Sequence, residues 1–277
     1  KKSAIKEVKV KFPPQLEGKT LKEVRIIPKA KGKRFEIQYV YEQPFETVAL
    51  DKEKAISIDI GLNNLATCVT SDGLSYLYDG RPLKSINHYY NKQKAKYQSI
   101  AMKQGMKYTN RLANMDIKRN NRVKDYIRKV ARSIVELCKA QQIGTLVIGY
   151  NKDFKRGINL GKKNNQQFTQ IPFGLLREYL YNLCEHYGID YVEQEESYTS
   201  KASFFDNDAL PVWTGEKQNV SFSGKRVKRG LYKTAKGALI NADVNGALNI
   251  LRKSNLIDTC ILQGIGCLAH PQRVYIV

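Results

Sequence analysis

Hydrophobic and polar positions alternate with a period of two along the first third of the chain. Residues 34–42, RFEIQYVYE, show this alternation, and a second group follows as AISIDIG (55–61), LATCVT (65–70) and LSYLYDG (74–80). A period of two is typical of β-strands, and the short turns rich in Gly, Asn and Asp in the second group favour antiparallel neighbours. The pattern therefore predicts a small β unit over residues 1–50 and then a three-stranded antiparallel meander.

The period changes to that of helices after residue 83. Residues 83–140 carry apolar positions at helical spacing, and AMKQGMKYTN (101–110) interrupts them, which predicts two helices. Buried strands are expected at GTLVIGY (144–150) and IDYVEQEE (189–196), with an amphipathic helix between them and a last helix in NADVNGALNILRK (241–253). This order fits an α/β fold of the RNase H-like type, in which a mixed sheet is flanked by helices.

The chain is strongly basic. Its 277 residues contain 47 Lys and Arg against 26 Asp and Glu, which gives a formal net charge of +21. Such an excess predicts a polyanionic partner, with nucleic acid as the leading candidate and a generic basic surface as the alternative. The sequence has no P-loop, Ser-His-Asp pattern or dinucleotide fingerprint, which argues against nucleotide hydrolysis and redox chemistry.

Cysteine usage and the N-terminus bear on the cellular setting. The five cysteines are odd in number and contain no Cys-x-x-Cys pair, which favours a reducing, cytoplasmic environment. No apolar run reaches the length of a membrane span, so no membrane partner is expected. The start, KKSAIKEVKVKFPP, lacks the apolar core of a signal peptide and an initiator Met, and we therefore expect a fragment or a processed chain.

Asp59 lies in the middle of the apolar segment AISIDIG. An ionised carboxylate inside a sheet is costly unless its charge is compensated, so this position needs a partner or a chemical role. Phosphodiester hydrolysis offers such a role, because two divalent cations about 3.5–4 Å apart can activate a water and stabilise the departing oxygen. Mg²⁺ prefers carboxylate oxygens, so several acids must converge from different elements. Asp243, near the start of the last predicted helix, is a second candidate, although a helix-start aspartate also has an ordinary capping role.

Several spaced motifs resemble the RuvC-like nuclease half of the TnpB family, the insertion-sequence proteins related to type V CRISPR effectors. They are ISIDIGLNNLATCVTSDG (56–73), TLVIGYN (145–151), SYTSK (197–201) and NADVNGALNI (241–250), in the family's order. The resemblance implies a RuvC-like nuclease domain over residues 54–255, with a helical insertion at about 84–140 and a basic hairpin insertion at about 202–240. It also implies that residues 1–53 are a partial, wedge-like β-barrel segment, N-terminally incomplete, and that 256–277 form a C-terminal tail.

The activity that the resemblance implies is an RNA-guided DNA endonuclease encoded by a mobile element. The partners of such an enzyme would be guide RNA and target DNA, and its cofactor would be Mg²⁺ or Mn²⁺. The resemblance does not imply an oligomeric state. Asp59 and Asp243 match the family's first and last catalytic aspartates. Two alternatives stay open: a nuclease-dead RNA-guided DNA-binding protein, and a junction-type nuclease or transposase that uses the same acids without a guide.

The sequence departs from the family at its second motif. That motif usually ends in a glutamate, but Gly149 stands at this place in LVIGYN. An acid from the adjacent strand can replace it, because neighbouring strands lie about 4.8 Å apart and Gly149 leaves space. Some relatives carry a Glu-x-x-Thr-Ser pattern, which selects Glu196 here rather than Glu193 or Glu195. The metal ligands and catalytic residues expected on this basis are Asp59, Glu196 and Asp243; a dead site or a solvated strand end is the alternative.

A second departure concerns zinc. Family members commonly carry a Cys-x-x-Cys ribbon before the last aspartate, whereas residues 202–240 contain no cysteine, so no zinc is expected. Residues 217–237 contain seven Lys or Arg and no acid, which predicts a basic hairpin that contacts phosphates, with a solvated loop as the alternative. The predicted nucleic-acid contacts are Lys225, Arg226, Lys228 and Arg229, with Tyr232 as a stacking group, and Lys162 and Lys163 in the basic loop at 155–170.

Overall fold

The computed structural model describes residues 9–151, 166, 169–213, 219–260, 262, 268 and 270–276. The chain divides into two compact units, Lys1–Pro44 and Phe45–Val277. In the smaller unit, β1 (Leu21–Lys29) and β2 (Arg34–Tyr41) pair antiparallel as a two-stranded sheet. The strand predicted from the alternation at 34–42 is thereby confirmed.

A six-stranded mixed sheet forms the centre of the larger unit. The strands of this unit are β3 (Asp51–Ile60), β4 (Asn64–Thr70), β5 (Ser75–Asp79), β6 (Ile143–Tyr150), β7 (Asp190–Glu195), β8 (Lys225–Lys228), β9 (Leu231–Lys233), β10 (Leu239–Asn241) and β11 (Gln272–Val274). The predicted meander of β3, β4 and β5 is antiparallel, and β6 and β7 continue the sheet in parallel beyond β3. The strand order is β11-β5-β4-β3-β6-β7, which confirms the predicted RuvC-like mixed sheet.

Helices cover both faces of this sheet. They are α1 (Arg81–Lys103), α2 (Asn110–Ala140), α3 (Phe173–Tyr187) and α4 (Ala242–Ser254). The break between α1 and α2 falls within the predicted interruption, and the Thr109 side chain accepts a hydrogen bond from the Leu112 amide to start α2. Gly188, with φ +73°, ends α3 in the left-handed conformation.

Alternate residues of β3 face opposite helical layers. Ile56, Ile58 and Ile60 belong to the core that contains the buried faces of α2 and α3, whereas Ala55 packs with the buried residues of α4. Because strand side chains alternate, Asp59 shares the face of Ala55. The fold therefore directs the Asp59 carboxylate toward α4.

A second, three-stranded sheet with the order β10-β9-β8 leads directly into α4. Two aspartates of the preceding loop hold it. The Ser223 hydroxyl donates to Asp208 Oδ1 at 2.6 Å, and the Ala235 amide donates to Asp206 Oδ2 at 2.8 Å. The predicted hairpin at residues 217–237 is thus present, in its described part, as β8 and β9.

The domain boundary expected after residue 53 falls inside β3, and the division between the two compact units comes after Pro44. The assignment of residues 54–255 to a nuclease domain and of 256–277 to a tail stays a prediction. Within the described ranges, no helix combines the length and the apolar character needed to cross a bilayer.

Candidate active site

Asp59 is held between β3 and α4. The Ser57 hydroxyl, two residues earlier on the same face, donates to the Ala247 carbonyl at 2.7 Å and fixes the helix against the strand. A Cβ atom at Gly246 would lie only 2.7 Å from Asp59 Oδ2. The helix can therefore approach the carboxylate this closely because residue 246 has no side chain.

Glu196 enters the same region from the end of β7. The Thr199 hydroxyl and amide both donate to the Glu196 carbonyl, at 2.8 and 3.2 Å, and fix the turn that follows the strand. A Cβ atom at Gly149, on the neighbouring strand β6, would lie 2.7 Å from Glu196 Oε2 and 2.6 Å from Ile250 Cδ1. The Glu196 carboxylate thus lies over Gly149, in space that any side chain there would take.

Asp243 lies in the first turn of α4. The Asn241 side chain caps this helix by accepting from the Asp243 and Val244 amides at 2.9 and 3.2 Å. The Asp243 carboxylate accepts from Asn64 Nδ2 at 2.8 Å and from Arg226 Nη2 at 3.0 Å. The Asp243 carboxylate therefore does not cap the helix: Asn241 does so, and Asp243 pairs with side chains of other elements.

The electrostatics of these acids are linked. Burial, then Glu196, then Asp243 raise the pKa of Asp59 well above its usual range, and Arg226 opposes the rise. Burial, then Glu195, raise the pKa of Glu196 to about 7, against the lowering effect of Arg177. Asp59 and Glu196 are thus held with less positive charge nearby than their ionised forms require.

Glu195, the neighbour of Glu196, has a different environment. Its carboxylate pairs with Lys253 of α4 and accepts from the Ser197 amide at 2.7 Å. Burial would raise the pKa of Glu195, but the hydrogen bonds from Lys253 and Ser197 prevail and lower it. The Lys253 side chain is only 7% exposed and also donates to the Pro211 carbonyl at 3.1 Å. Glu195 is therefore part of a structural ion pair.

Two asparagines that the sequence analysis missed position the loop after Glu196. Asn249 Nδ2 donates to the carbonyls of Thr199 and Ala202 at 2.9 and 2.8 Å, and Asn245 Nδ2 donates to the Ala202 carbonyl at 2.7 Å. Both asparagines are fully buried. Their signal in the sequence is a pair of polar residues four apart on the otherwise apolar face of α4.

A cavity of about 500 Å³ opens beside these acids. Its lining includes Asp59, Glu196, Tyr198, Lys201 and Trp213. In the part of the chain that the structure describes, no three His, Cys, Asp or Glu side chains lie close enough together to form a ready metal centre. Asp59 and Glu196 therefore share one cavity, and Asp243 lies outside its lining.

The predicted nucleic-acid contacts have different surroundings. Arg226 pairs with Asp243 and so belongs to the acid site. Tyr232 is fully buried and its hydroxyl donates to the Lys201 carbonyl at 2.8 Å, so it packs the hairpin and is not accessible to a nucleobase; this corrects its predicted stacking role. The remaining residues of the hairpin set are exposed: Lys225, Lys228 and Arg229. Lys162 and Lys163 lie outside the described residues.

Two family models match the chain in sequence. Residues 38–155 match the OrfB_IS605 family, described as a probable transposase, and residues 173–250 match the Cas12f1-like TNB domain. The first match contains Asp59, and the second contains Glu196 and Asp243.

Relatives and solved structures agree with these matches. The TnpB-like protein ORF457 of Acidianus two-tailed virus is 25% identical over 211 residues, which are 73% of this chain and 42% of the viral protein. In fold, the chain is similar to Cas12f1 in a cryo-EM structure of the Cas12f1-sgRNA-target DNA complex, with a TM-score of 0.51, 16% identity and coverage of 82% of this chain and 64% of the other. The chain thus spans about two fifths of the length of the viral protein and just under two thirds of the Cas12f1 chain. The sequence of the chain is therefore similar to OrfB_IS605 transposases, to the Cas12f1-like TNB domain and to a TnpB-like viral protein, and its fold is similar to that of Cas12f1.

Proposed function

We propose that the chain is the nuclease part of an RNA-guided DNA endonuclease of a mobile element, and that Asp59, Glu196 and Asp243 form its catalytic site. The observation that carries this proposal is the convergence of three acids from β3, the end of β7 and the start of α4. Asp59 is the central member, because Glu196 and Asp243 both raise its pKa. Structural carboxylates are normally paired with cations, and Asp243 has such a pair in Arg226. Asp59 and Glu196 differ, because their pKa values are raised in spite of the opposing effects of Arg226 and Arg177.

The donor set fits a hard divalent cation. All three side chains offer carboxylate oxygens, which Mg²⁺ and Mn²⁺ prefer, and neither His nor Cys lines the cavity. The excess negative charge around Asp59 is of the kind that a cation offsets. A pair of such ions would supply an activated water and stabilise the departing oxygen of a phosphodiester.

The protein's own residues would prepare this site. Asn64 orients the Asp243 carboxylate through one oxygen, and Arg226 holds the other. Gly246 and Gly149 leave the space in which the carboxylates of Asp59 and Glu196 lie. Holding the three acids in one place before the substrate arrives lowers the reorganisation that catalysis requires.

Guidance by RNA is the second part of the proposal. Its supports are the sequence matches to OrfB_IS605 and to a TnpB-like protein, the net charge of +21, and the sgRNA and target DNA in the complex of the similar Cas12f1. In such a system, base pairing between guide and target reads the sequence, and the protein holds the backbones and cuts. The partners we propose are therefore a guide RNA and a target DNA.

Two observations favour a second candidate, a nuclease-dead RNA-guided DNA-binding protein. Gly149 replaces the family's usual glutamate, and the described residues contain no ready three-residue metal centre. Such a protein would still bind nucleic acid without cutting it, because the basic residues of its surface bind independently of the three acids.

Paired cleavage and binding assays separate these candidates. The protein that carries this chain is purified with its copurifying RNA and tested on target DNA with Mg²⁺ or Mn²⁺. Asp59→Asn, Glu196→Gln and Asp243→Asn should each abolish cleavage and leave DNA binding nearly unchanged, because each removes a charge and keeps the shape. Cleavage by Glu196→Gln would remove that residue from the site, and a wild type that binds DNA but cuts with neither cation would establish the nuclease-dead alternative.

The control for these assays is Glu178→Gln, which makes the same chemical change on the exposed surface of α3. Glu195→Gln is unsuitable as a control, because it would leave the buried Lys253 ammonium without its partner.

A further inference from the structure

Two aromatic side chains line the cavity that contains Asp59 and Glu196. They are Tyr198 and Trp213, and their ring centroids are 6.4 Å apart. The Phe222 ring also packs against Tyr198, with centroids 6.1 Å apart. Aromatic rings and carboxylates thus line the same cavity.

The Trp213 side chain is unusually exposed for a large apolar group. Its side chain is 49% exposed, although the indole is the largest apolar group in the chain and lies in a segment with neither helix nor strand. Burial of an aromatic ring is strongly favourable, so a half-exposed Trp on the rim of a cavity is an available contact surface.

Tyr198 is fixed by its backbone. It has a φ of +67°, which is uncommon for a residue with a side chain, and its carbonyl accepts from the amides of Lys201 and Ala202 at 2.9 Å each. Sparsely populated backbone conformations persist where the surrounding structure holds them and are frequent at ligand sites. The ring is consequently held beside the acids without the entropy cost of ordering a mobile loop.

The charge and size of the cavity define the ligand. Lys201 is exposed and lines the same cavity, so its ammonium group can pair with an anionic group of a ligand that contacts Tyr198 and Trp213. The volume of about 500 Å³ lies within the range of pockets that hold small ligands. A flat ring with an attached phosphate combines these requirements, and only an unpaired nucleotide presents its ring face to a protein.

We infer that Tyr198 and Trp213 form a stacking site for an unpaired nucleobase of a DNA strand, next to the catalytic acids. The inference rests on the proposed nuclease function for the identity of the strand, while the binding itself can be measured without cleavage. Stacking at this point would hold the nucleotide beside the phosphodiester to be cut. It would also select single-stranded DNA, because a base inside a duplex is covered by its neighbours.

Trp213 is the only tryptophan of the chain, so its fluorescence reports on this site directly. The chain is titrated, in EDTA, with an oligothymidylate and with an abasic deoxyribose-phosphate oligomer of equal length, and anisotropy of a labelled end measures binding in parallel. The oligothymidylate should quench Trp213, whereas the abasic oligomer should bind the basic surface and leave the fluorescence unchanged. Equal quenching by both, or binding of the oligothymidylate without quenching, would overturn the inference.

Variants test the two rings separately. Tyr198→Ala should weaken oligothymidylate binding by roughly 5- to 100-fold, the range that loss of one stacking ring gives, and Tyr198→Phe should retain it. In the anisotropy assay, Trp213→Ala should likewise weaken oligothymidylate binding and Trp213→Phe should retain it. These variants leave the strained backbone at residue 198 unchanged. The matched control is Tyr181→Ala, which removes a 47% exposed ring in edge contact with Tyr191.

Failure of this inference and failure of the proposed function are distinguishable. Asp59→Asn should still show quenching, since stacking does not require the acid. Quenching in a protein that never cleaves would retain the stacking site and reject the nuclease. If the wild type cleaves DNA but Tyr198→Ala and Trp213→Ala bind oligothymidylate as tightly as the wild type, the nuclease proposal is retained and the stacking site is rejected.

Discussion

Replacing Glu196 with Gln should stabilise the chain at alkaline pH in a buffer without divalent cations. Burial and Glu195 raise the pKa of Glu196 from its ordinary 4.5 to about 7. Because the folded chain then binds this proton more tightly than the unfolded chain, the free energy of unfolding falls as pH rises from 4.5 through about 7. Gln is neutral throughout, so the variant avoids this loss.

The magnitude follows from the shift. A rise from 4.5 to about 7 corresponds to about 3 kcal/mol, at about 1.4 kcal/mol per pKa unit. Glu196 is partly buried, so solvent screening lowers the expected gain to about 2 kcal/mol. For a unit of this size, that gain raises Tm by about 4–8 °C. Relief of Asp59 acts in the same direction, because Glu196 also raises the pKa of Asp59.

Urea unfolding in EDTA at about pH 5 and about pH 8 measures this effect. The variant and the wild type should have similar stability at the lower pH, and the variant should be more stable at the higher one. Glu178→Gln, the exposed control, should match the wild type at both. A Glu196→Gln variant that gains nothing at the higher pH would refute the argument that burial and neighbouring charge strain this carboxylate.

Two further predictions concern the space around Glu196 and the hairpin. Gly149→Ala should cost about 1–3 kcal/mol in urea unfolding and displace Glu196, because its Cβ would lie 2.7 Å from Oε2. Gly174→Ala in α3, whose Cβ would meet no described atom within 4 Å, should be neutral or slightly stabilising; equal losses in the two variants would contradict the steric argument. Replacing the exposed basic residues of the hairpin with Gln should lower the salt slope of nucleic-acid binding by about 2–3 units, and an unchanged slope would exclude them as phosphate contacts. That triple variant changes Lys225, Lys228 and Arg229.

Local pattern is sufficient for most of the central sheet. The period of two in β3, β4 and β5 and the tight turns between them specify the meander, since each strand pairs with its neighbour in sequence. β11 was not predicted from the pattern. It pairs with β5 across roughly two hundred residues of chain, and a three-residue edge strand carries too little periodicity to indicate a partner.

The acid site was only partly accessible to sequence reasoning. Asp59 could be identified because a carboxylate in an apolar strand is costly. Arg226 resembled any other residue of a basic hairpin, and its pairing with Asp243 depends on how that hairpin meets the start of α4. Tyr232 was predicted to stack for the same reason, yet its ring is buried beside Ile240 and Ala242. Tertiary packing determines both the partner of Arg226 and the burial of Tyr232, and the local sequence pattern does not indicate either of them.

Gly149 and Glu196 are two parts of one structural change. The Glu196 carboxylate occupies the place that a Cβ at residue 149 would crowd, so a glutamate at 149 and one at 196 would compete for the same space. They would also repel each other, and each would raise the pKa of the other. A glycine at the end of β6 therefore lets the carboxylate supplied by the end of β7 keep its observed position, whereas a larger residue would displace it. If the proposed function is correct, the site needs a carboxylate at this position, and either β6 or β7 can supply it. Gly149 in place of the glutamate usual in TnpB proteins then leaves the room that Glu196 needs.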